Sequence, residues 1–95
     1  MNELRERVEK YIKIEEEALK KIKIVAPRDS YSEVMGRDAM EMITSYFSDA
    51  KYFYSRGDFI NAFAAINYSY GWIDSMIRFG IFDGDSDHRL FTLFR

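Results

Sequence analysis

Glu15 is the first residue whose type and position could carry chemistry. The opening segment repeats apolar residues at helical spacing, and at about 100° per residue Glu15 falls within about 20° of Leu4 and Ile22, inside the apolar stripe. An unpaired buried carboxylate is costly, so Glu15 must pair with a cation, bond to hydroxyl groups or face a ligand. We therefore expect a buried Glu15 with a cationic or hydroxyl partner, and treat it as a candidate ligand-binding residue.

A polar strip on the third predicted helix is the second candidate. Asn67, Gly71, Asp74 and Arg78 project within about 60° of one another, and Gly71 leaves room for close approach of another group. Together with Glu15, the side chains of this strip could bind a small ligand or a nucleotide, which would make the protein a small-ligand or nucleotide-associated enzyme or accessory domain. The alternative is an ordinary i,i+4 ion pair between Asp74 and Arg78 on a solvated edge, with Gly71 packing against a neighbouring helix.

The sequence gives little support to metal or cofactor chemistry. It has no cysteine and a single histidine, His88, so one chain cannot assemble a Cys/His zinc site. Asp83, Asp85 and Asp87 imitate the start of a calcium loop, but His88 and Phe94 occupy the positions that require Gly and Glu. We predict an acidic turn there, no metal, no cofactor and no catalytic residue, which favours a protein that is not an enzyme.

Length, composition and charge bound the remaining possibilities. A chain of 95 residues with 47% apolar and 17% aromatic residues is expected to fold as a single domain, residues 1–95. The 14 basic and 16 acidic residues are intermixed, which makes nucleic acid an unlikely partner, although RNA binding through a basic cluster remains a minor alternative (Lys20, Lys21, Lys23, Arg28). No apolar run reaches the roughly 20 residues that span a bilayer, and the charged first ten residues do not resemble a signal peptide. We expect no membrane partner and a cytoplasmic protein.

These side chains must be positioned by helices. The spacing of apolar residues predicts an all-α, up-and-down three-helix bundle with a short C-terminal segment, its helices covering residues 3–25, 31–56 and 59–79. Ser30 and Glu33 form a capping box at the start of helix 2. Gly57 and Asp58 leave almost no loop after it, so helices 2 and 3 should be antiparallel neighbours.

Helix 3 is apolar on two sides. Its main face should meet helices 1 and 2, whereas large apolar side chains make up the second face: Tyr68, Trp72, Met76 and Phe79. Helices 1 and 2 alone cannot enclose helix 3, which is about 10 Å across, so part of this second face should remain open. Residues 90–94 are the segment of the same chain that could cover the rest. We predict an interface here with a protein partner or a second copy of the chain, the latter giving a homodimer.

Three segments carry a resemblance to a known family: YFSDAKYF at 46–53, GDF at 57–59 with AFAA at 62–65, and YSYGWID at 68–74. Together they resemble the DUF357 family, small archaeal proteins of unknown function, and the likeness is strongest from Met42 to Phe82. The resemblance implies an all-helical up-and-down bundle. It brings no established activity, cofactor or catalytic residue with it.

Overall fold

The computed structural model of the chain describes residues 2–84 and contains three long helices and one very short pair of strands. The elements in chain order are α1 (Asn2–Lys21), β1 (Lys23–Ile24), α2 (Tyr31–Ser55), α3 (Phe59–Arg78) and β2 (Phe82–Asp83). This confirms the predicted all-α three-helix architecture. The predictions for Asp85, Asp87, His88 and residues 90–94 lie outside the described residues.

The start of α2 follows the predicted capping chemistry with one change. The backbone amide of Glu33 donates to Ser30 Oγ at 3.1 Å, which satisfies one of the free amides in the first turn. The Glu33 carboxylate reaches back to the amide of Asp29 at 2.9 Å, one residue earlier than a standard capping box, and Asp29 has a positive φ of 61°. The Ser30 amide is satisfied instead by the Pro27 carbonyl.

Glycines in the left-handed conformation end α2 and α3. Gly57 has φ 78° and Gly80 has φ 74°, values that favour glycine because it has no Cβ. At the end of α3 the Gly80 amide donates to the Ile77 carbonyl and the Ile81 amide to the Met76 carbonyl, the two bonds of a Schellman motif. Equivalent bonds close α2 at Gly57, and the chain turns directly into α3.

The predicted end of helix 1 was wrong. The helix ends at Lys21 rather than near residue 25, and Ile24 instead pairs with Phe82 in the antiparallel β1–β2 ladder. The Val25 amide also donates to the Ile81 carbonyl at 2.9 Å. The β-branched residues of this stretch favour extended backbone, and a partner strand almost 60 residues later supplies the hydrogen bonds that a longer helix would have made.

The core lies between the α2–α3 hairpin and α1. It has two groups of buried apolar residues: Ala18, Ala39, Ile43, Ile73, Met76, Ile81 and Phe82 near the strands, and Phe47, Ala50, Ala65 and Ile66 near the hairpin turn. Tyr11 of α1 stacks on Phe63 of α3, and Tyr54 Oη of α2 donates to Glu9 Oε2 at 2.8 Å. These contacts place α1 on one side of the hairpin.

Gly36 marks a close approach of α2 to Ile24 of β1 and to Ile81, the residue before β2. A Cβ built at this buried position would lie 3.0 Å from a methyl carbon of Ile24 and 3.0 Å from one of Ile81. Helix 2 nevertheless runs through Gly36 without a break. The absent side chain therefore allows the β1–β2 pair to pack directly on the helix backbone.

Candidate functional site

Glu15 lies in a polar cluster to which all three helices contribute. Its side chain is fully buried, with 0% of its surface exposed, as the sequence led us to expect. Ser69 Oγ of α3 lies 2.5 Å from Glu15 Oε2 and 2.9 Å from the Ile43 carbonyl oxygen of α2. Glu15 Oε1 has no hydrogen-bond partner among the described residues. The partner of Glu15 is therefore a hydroxyl group, and Ser69 links α1 to α2. We call these three groups the Glu15–Ser69–Ile43 relay.

Burial dominates the electrostatics of the relay. Removal from water raises the pKa of Glu15 from 4.5 to about 8, against the smaller lowering effect of the Ser69 hydrogen bond. The pKa of the neighbouring phenol, Tyr70, is also raised. Burial first, and then the charges of Glu15 and Asp74, raise the pKa of Tyr70 to about 12. Both acids are thereby held toward their protonated forms near neutral pH.

The local sequence explains why a serine can occupy this position. Ser69 lies on the buried side of α3, one turn from Ile66 and one turn from Ile73, and all three are almost completely buried. Its small side chain leaves room for α1 and α2 to approach, and its hydroxyl provides the polar partner that Glu15 requires. Sequence reasoning missed Ser69. The available signal was a small hydroxyl residue in register with the apolar face of α3.

The polar strip predicted on α3 forms bonds within its own helix. Arg78 Nε donates to Asp74 Oδ2 at 2.8 Å in an i,i+4 ion pair, and the Asn67 side-chain amide donates to the Phe63 carbonyl at 2.8 Å. Glu15 bonds instead to the opposite, buried side of the same helix through Ser69. Glu15 therefore lies on the other side of α3 from Asn67, Asp74 and Arg78, and the four candidate ligand-binding residues do not surround one centre.

A shallow groove of about 440 Å³ runs beside Gly71 on the outer flank of α3. It is lined by Asn67, Tyr68, Gly71, Trp72 and Ser75. The Ser75 hydroxyl donates to the Gly71 carbonyl, so it is engaged by the helix backbone, as the Asn67 amide is. Among residues 2–84, no group of three or more His, Asp or Glu side chains is arranged to hold a metal ion.

The second apolar face of α3 is partly as predicted. Phe79 is 71% exposed, Tyr68 is 50% exposed, and Trp72 is half-buried against the core. Met76 is the exception: it is only 3% exposed. Its position on the helix turns it toward α2, and the chain folds back after Gly80 so that Ile81 and Phe82 pack with it in the same core group. Met76, which we predicted as an interface residue, is therefore covered within the chain and does not belong to the exposed part of this face.

The exposed part of this face continues onto α2. Three apolar residues of α2 match three of α3 at equal distances along the chain from Gly57: Met35 with Phe79, Met42 with Trp72, and Tyr46 with Tyr68. The Tyr46 and Tyr68 rings touch, with centroids 4.4 Å apart, which fixes the register of the pairs. α1 packs on the other side of the hairpin. We call these six residues the α2–α3 face.

The fold, the Glu15–Ser69–Ile43 relay and the α2–α3 face define a class of protein. It is a small up-and-down helical bundle with a polar relay buried between its three helices and a partly exposed apolar face on its hairpin. Among residues 2–84, no helix is long and apolar enough to cross a bilayer. The chain belongs to the DUF357 family, because the family model described as a protein of unknown function matches residues 10–82. No curated protein and no solved structure shows a significant match.

Proposed function

We propose that this protein acts by protein–protein association through the α2–α3 face, and that a second copy of the chain can occupy it as a homodimer. The exposure of Phe79 is the main support: 71% of the surface of this phenylalanine is in water, and Met35 and Tyr68 of the same α2–α3 face are about half exposed. Scattered apolar residues are normal on a protein surface, but a continuous patch of large ones is typical of an interface.

The arrangement of the α2–α3 face supports this proposal. Each side of the hairpin contributes three apolar residues over 12 positions, 11 steps that span about 16 Å at 1.5 Å per residue. Aromatic residues and methionine, the types enriched in interface cores, make up the whole set. A symmetric dimer is the commonest closed oligomer and requires only that this surface be complementary to itself.

The small-ligand hypothesis gains no comparable support. It requires Glu15, Asn67, Asp74 and Arg78 to present free polar groups to one cavity. Asp74 and Arg78 pair with each other, Asn67 bonds to the helix backbone, and the bonded oxygen of Glu15 faces Ser69 in the core. Association is therefore the function that the geometry favours.

Sedimentation equilibrium of the whole chain at micromolar concentrations tests the proposal with a matched pair of variants. Phe79→Gln removes an exposed ring from the α2–α3 face, while Ile60→Gln removes an equally exposed apolar side chain, also 71%, beside Leu4 near the start of α1. Burying a phenylalanine contributes about 1.5–3 kcal/mol, and a symmetric dimer loses two rings. We expect Phe79→Gln to raise the dimer dissociation constant at least about 100-fold, and Ile60→Gln to leave it unchanged.

Two results would overturn the proposal of self-association. One is a wild-type chain that remains monomeric throughout the concentration range. The other is a dimer that Phe79→Gln and Ile60→Gln weaken equally, which would place the interface elsewhere. Circular dichroism of both variants establishes that each retains the helical fold before the masses are compared.

A further inference from the structure

We propose that Glu15 is a neutral carboxylic acid in the folded protein, donating its proton to Ser69, and that its ionisation acts as a pH-sensitive switch that loosens α1 from the α2–α3 hairpin. This inference concerns the core and does not depend on the proposed association. It is carried by the geometry of the Glu15–Ser69–Ile43 relay.

The first argument is a count of protons. Ser69 Oγ lies within hydrogen-bond distance of two oxygens, Glu15 Oε2 and the Ile43 carbonyl. A serine hydroxyl has one proton, and a backbone carbonyl has none. Two separate, fully formed hydrogen bonds therefore require a second proton, and among the described groups of the relay the Glu15 carboxyl is the one that can supply it. The protonated acid donates to Ser69 Oγ, and the Ser69 hydroxyl donates to the Ile43 carbonyl. With Glu15 ionised, one of the two close oxygen pairs would be left without a proton.

The second argument is that no described group near Glu15 would compensate for the negative charge of its ionised carboxylate. Glu15 is fully buried, and its Oε1 has no hydrogen-bond partner within residues 2–84. A carboxylate in such a place needs a cation or several donors, because removing an isolated charge from water costs far more than removing a neutral acid. The neutral form leaves a much smaller deficit at Oε1.

The groups that face Glu15 from each packed element contain no described cation. α2 presents the Ile43 carbonyl and α3 presents the Ser69 hydroxyl. Tyr70 of α3 is the titratable neighbour, and its phenol feels the charge of Glu15. The strands add apolar side chains to the adjacent core, while their charged residues, Lys23 and Asp83, are exposed. In the described part of the chain, the two influences on the acidity of Glu15 are burial and the Ser69 bond.

The direction of the pH effect follows from this environment. Below pH 4.5 Glu15 is protonated in both the folded and the unfolded chain and does not contribute to the pH dependence. Between 4.5 and about 8 the unfolded chain releases its proton while the folded chain retains it, so stability falls as the pH rises. Above about 8 the folded chain ionises too, and the relay loses a proton at the junction where α1 meets the other helices.

Two measurements on the whole chain test the switch. The first follows the ¹³C shift of the Glu15 side-chain carboxyl by NMR across the pH range. We expect its titration well above that of an ordinary glutamate, near pH 8. The second compares amide exchange, corrected for its intrinsic pH dependence, in α1 with that in α2 and α3. We expect α1 to lose protection selectively when Glu15 ionises.

Glu15→Gln provides the decisive variant, because its amide can donate to Ser69 as the neutral acid does but cannot ionise. We expect this variant to lose the decline in stability that the wild type shows between pH 5 and 8, a decline that raises the unfolding equilibrium constant by up to about tenfold per pH unit. Glu16→Gln removes an exposed carboxylate one residue away and should keep the decline.

The outcomes that overturn the proposal are distinct. Titration of Glu15 at the ordinary value of a glutamate would show that it is ionised in the fold. A Glu15→Gln chain that folds but keeps the decline would exclude Glu15 as its source. Equal loss of protection in all three helices would reject α1 as the element that opens. If Glu15→Gln does not fold, the wild-type titration decides alone.

Discussion

Ser69→Ala is the substitution that tests the buried relay most severely. It removes the single hydroxyl that bonds both Glu15 of α1 and the Ile43 carbonyl of α2, at a position with no exposed surface. A buried polar group left without a partner costs about 1–3 kcal/mol. The Ile43 carbonyl, in the middle of α2, keeps its helical hydrogen bond, so the loss falls on the Glu15 carboxyl and should be about 1–3 kcal/mol. Small proteins have total stabilities of about 5–15 kcal/mol, so this is a large fraction.

Urea denaturation followed by circular dichroism at pH 6 measures this loss as a change in the free energy of unfolding. In a separate thermal denaturation, the midpoint temperature should fall by at least about 4 °C, because 1 kcal/mol corresponds to about 4–8 °C for a chain of this size. Ser75→Ala is the matched control, since the Ser75 hydroxyl bonds the backbone of its own helix and is less buried. A loss below about 1 kcal/mol for Ser69→Ala would refute the relay as a stabilising contact.

A double-mutant cycle separates the relay from simple packing. Glu15→Leu alone leaves Ser69 bonded to the Ile43 carbonyl, and Ser69→Ala alone leaves a buried acid without its partner. Replacing both partners by apolar groups removes the unsatisfied acid, so the double variant should be less destabilised than the sum of the single ones. We expect a coupling free energy of about 1–3 kcal/mol. Additive losses would show that Glu15 and Ser69 act independently.

Two further predictions address the packing of α1 and the strands. Gly36→Ala gains about 1 kcal/mol of helix propensity but forces a methyl group into 3.0 Å contacts with Ile24 and Ile81, which the strand pairing holds in place. We expect urea denaturation to show a net loss of stability. A net gain would show that the strands can move away. Tyr54→Phe removes a hydrogen bond to the Glu9 carboxylate, which is the largest of the effects that lower the pKa of Glu9. That pKa should rise toward its ordinary value in an NMR titration, and an unchanged value would show that the bond does not form in solution.

The helix ends could largely be predicted from the sequence because their signals are local. Ser30 and Asp58 accept bonds from amides three residues later, and Gly57 and Gly80 adopt a conformation that glycine favours. The end of α1 could not be predicted in the same way. Residues 22–25 continue the helical spacing, and what stops the helix is pairing of Ile24 with a strand near residue 82.

The relay was only half predictable, for a related reason. Glu15 stands out because a charged residue interrupts an apolar stripe, and that signal lies within one helix. Ser69 has only a weaker signal, a small hydroxyl residue in register with the apolar face of α3, because its role depends on groups 54 and 26 residues away in sequence. Met76 was misplaced because a helical projection gives its direction without showing that Ile81 and Phe82 return to cover it.

The relay also fixes how α1 is placed along the hairpin. The short connection at Gly57 sets the register of α2 against α3, but α1 is joined through a longer segment, and its apolar stripe repeats every three or four residues. Sliding α1 by one turn, about 5.4 Å, would exchange apolar side chains for similar ones at modest cost. The same slide would separate Glu15 from Ser69 and bury the Glu15 carboxyl without a partner, while Ser69 would keep its bond to the Ile43 carbonyl. A neutral acid therefore supplies a penalty against misplacement that a leucine could not, and because that acid can ionise, the same contact makes the attachment of α1 sensitive to pH.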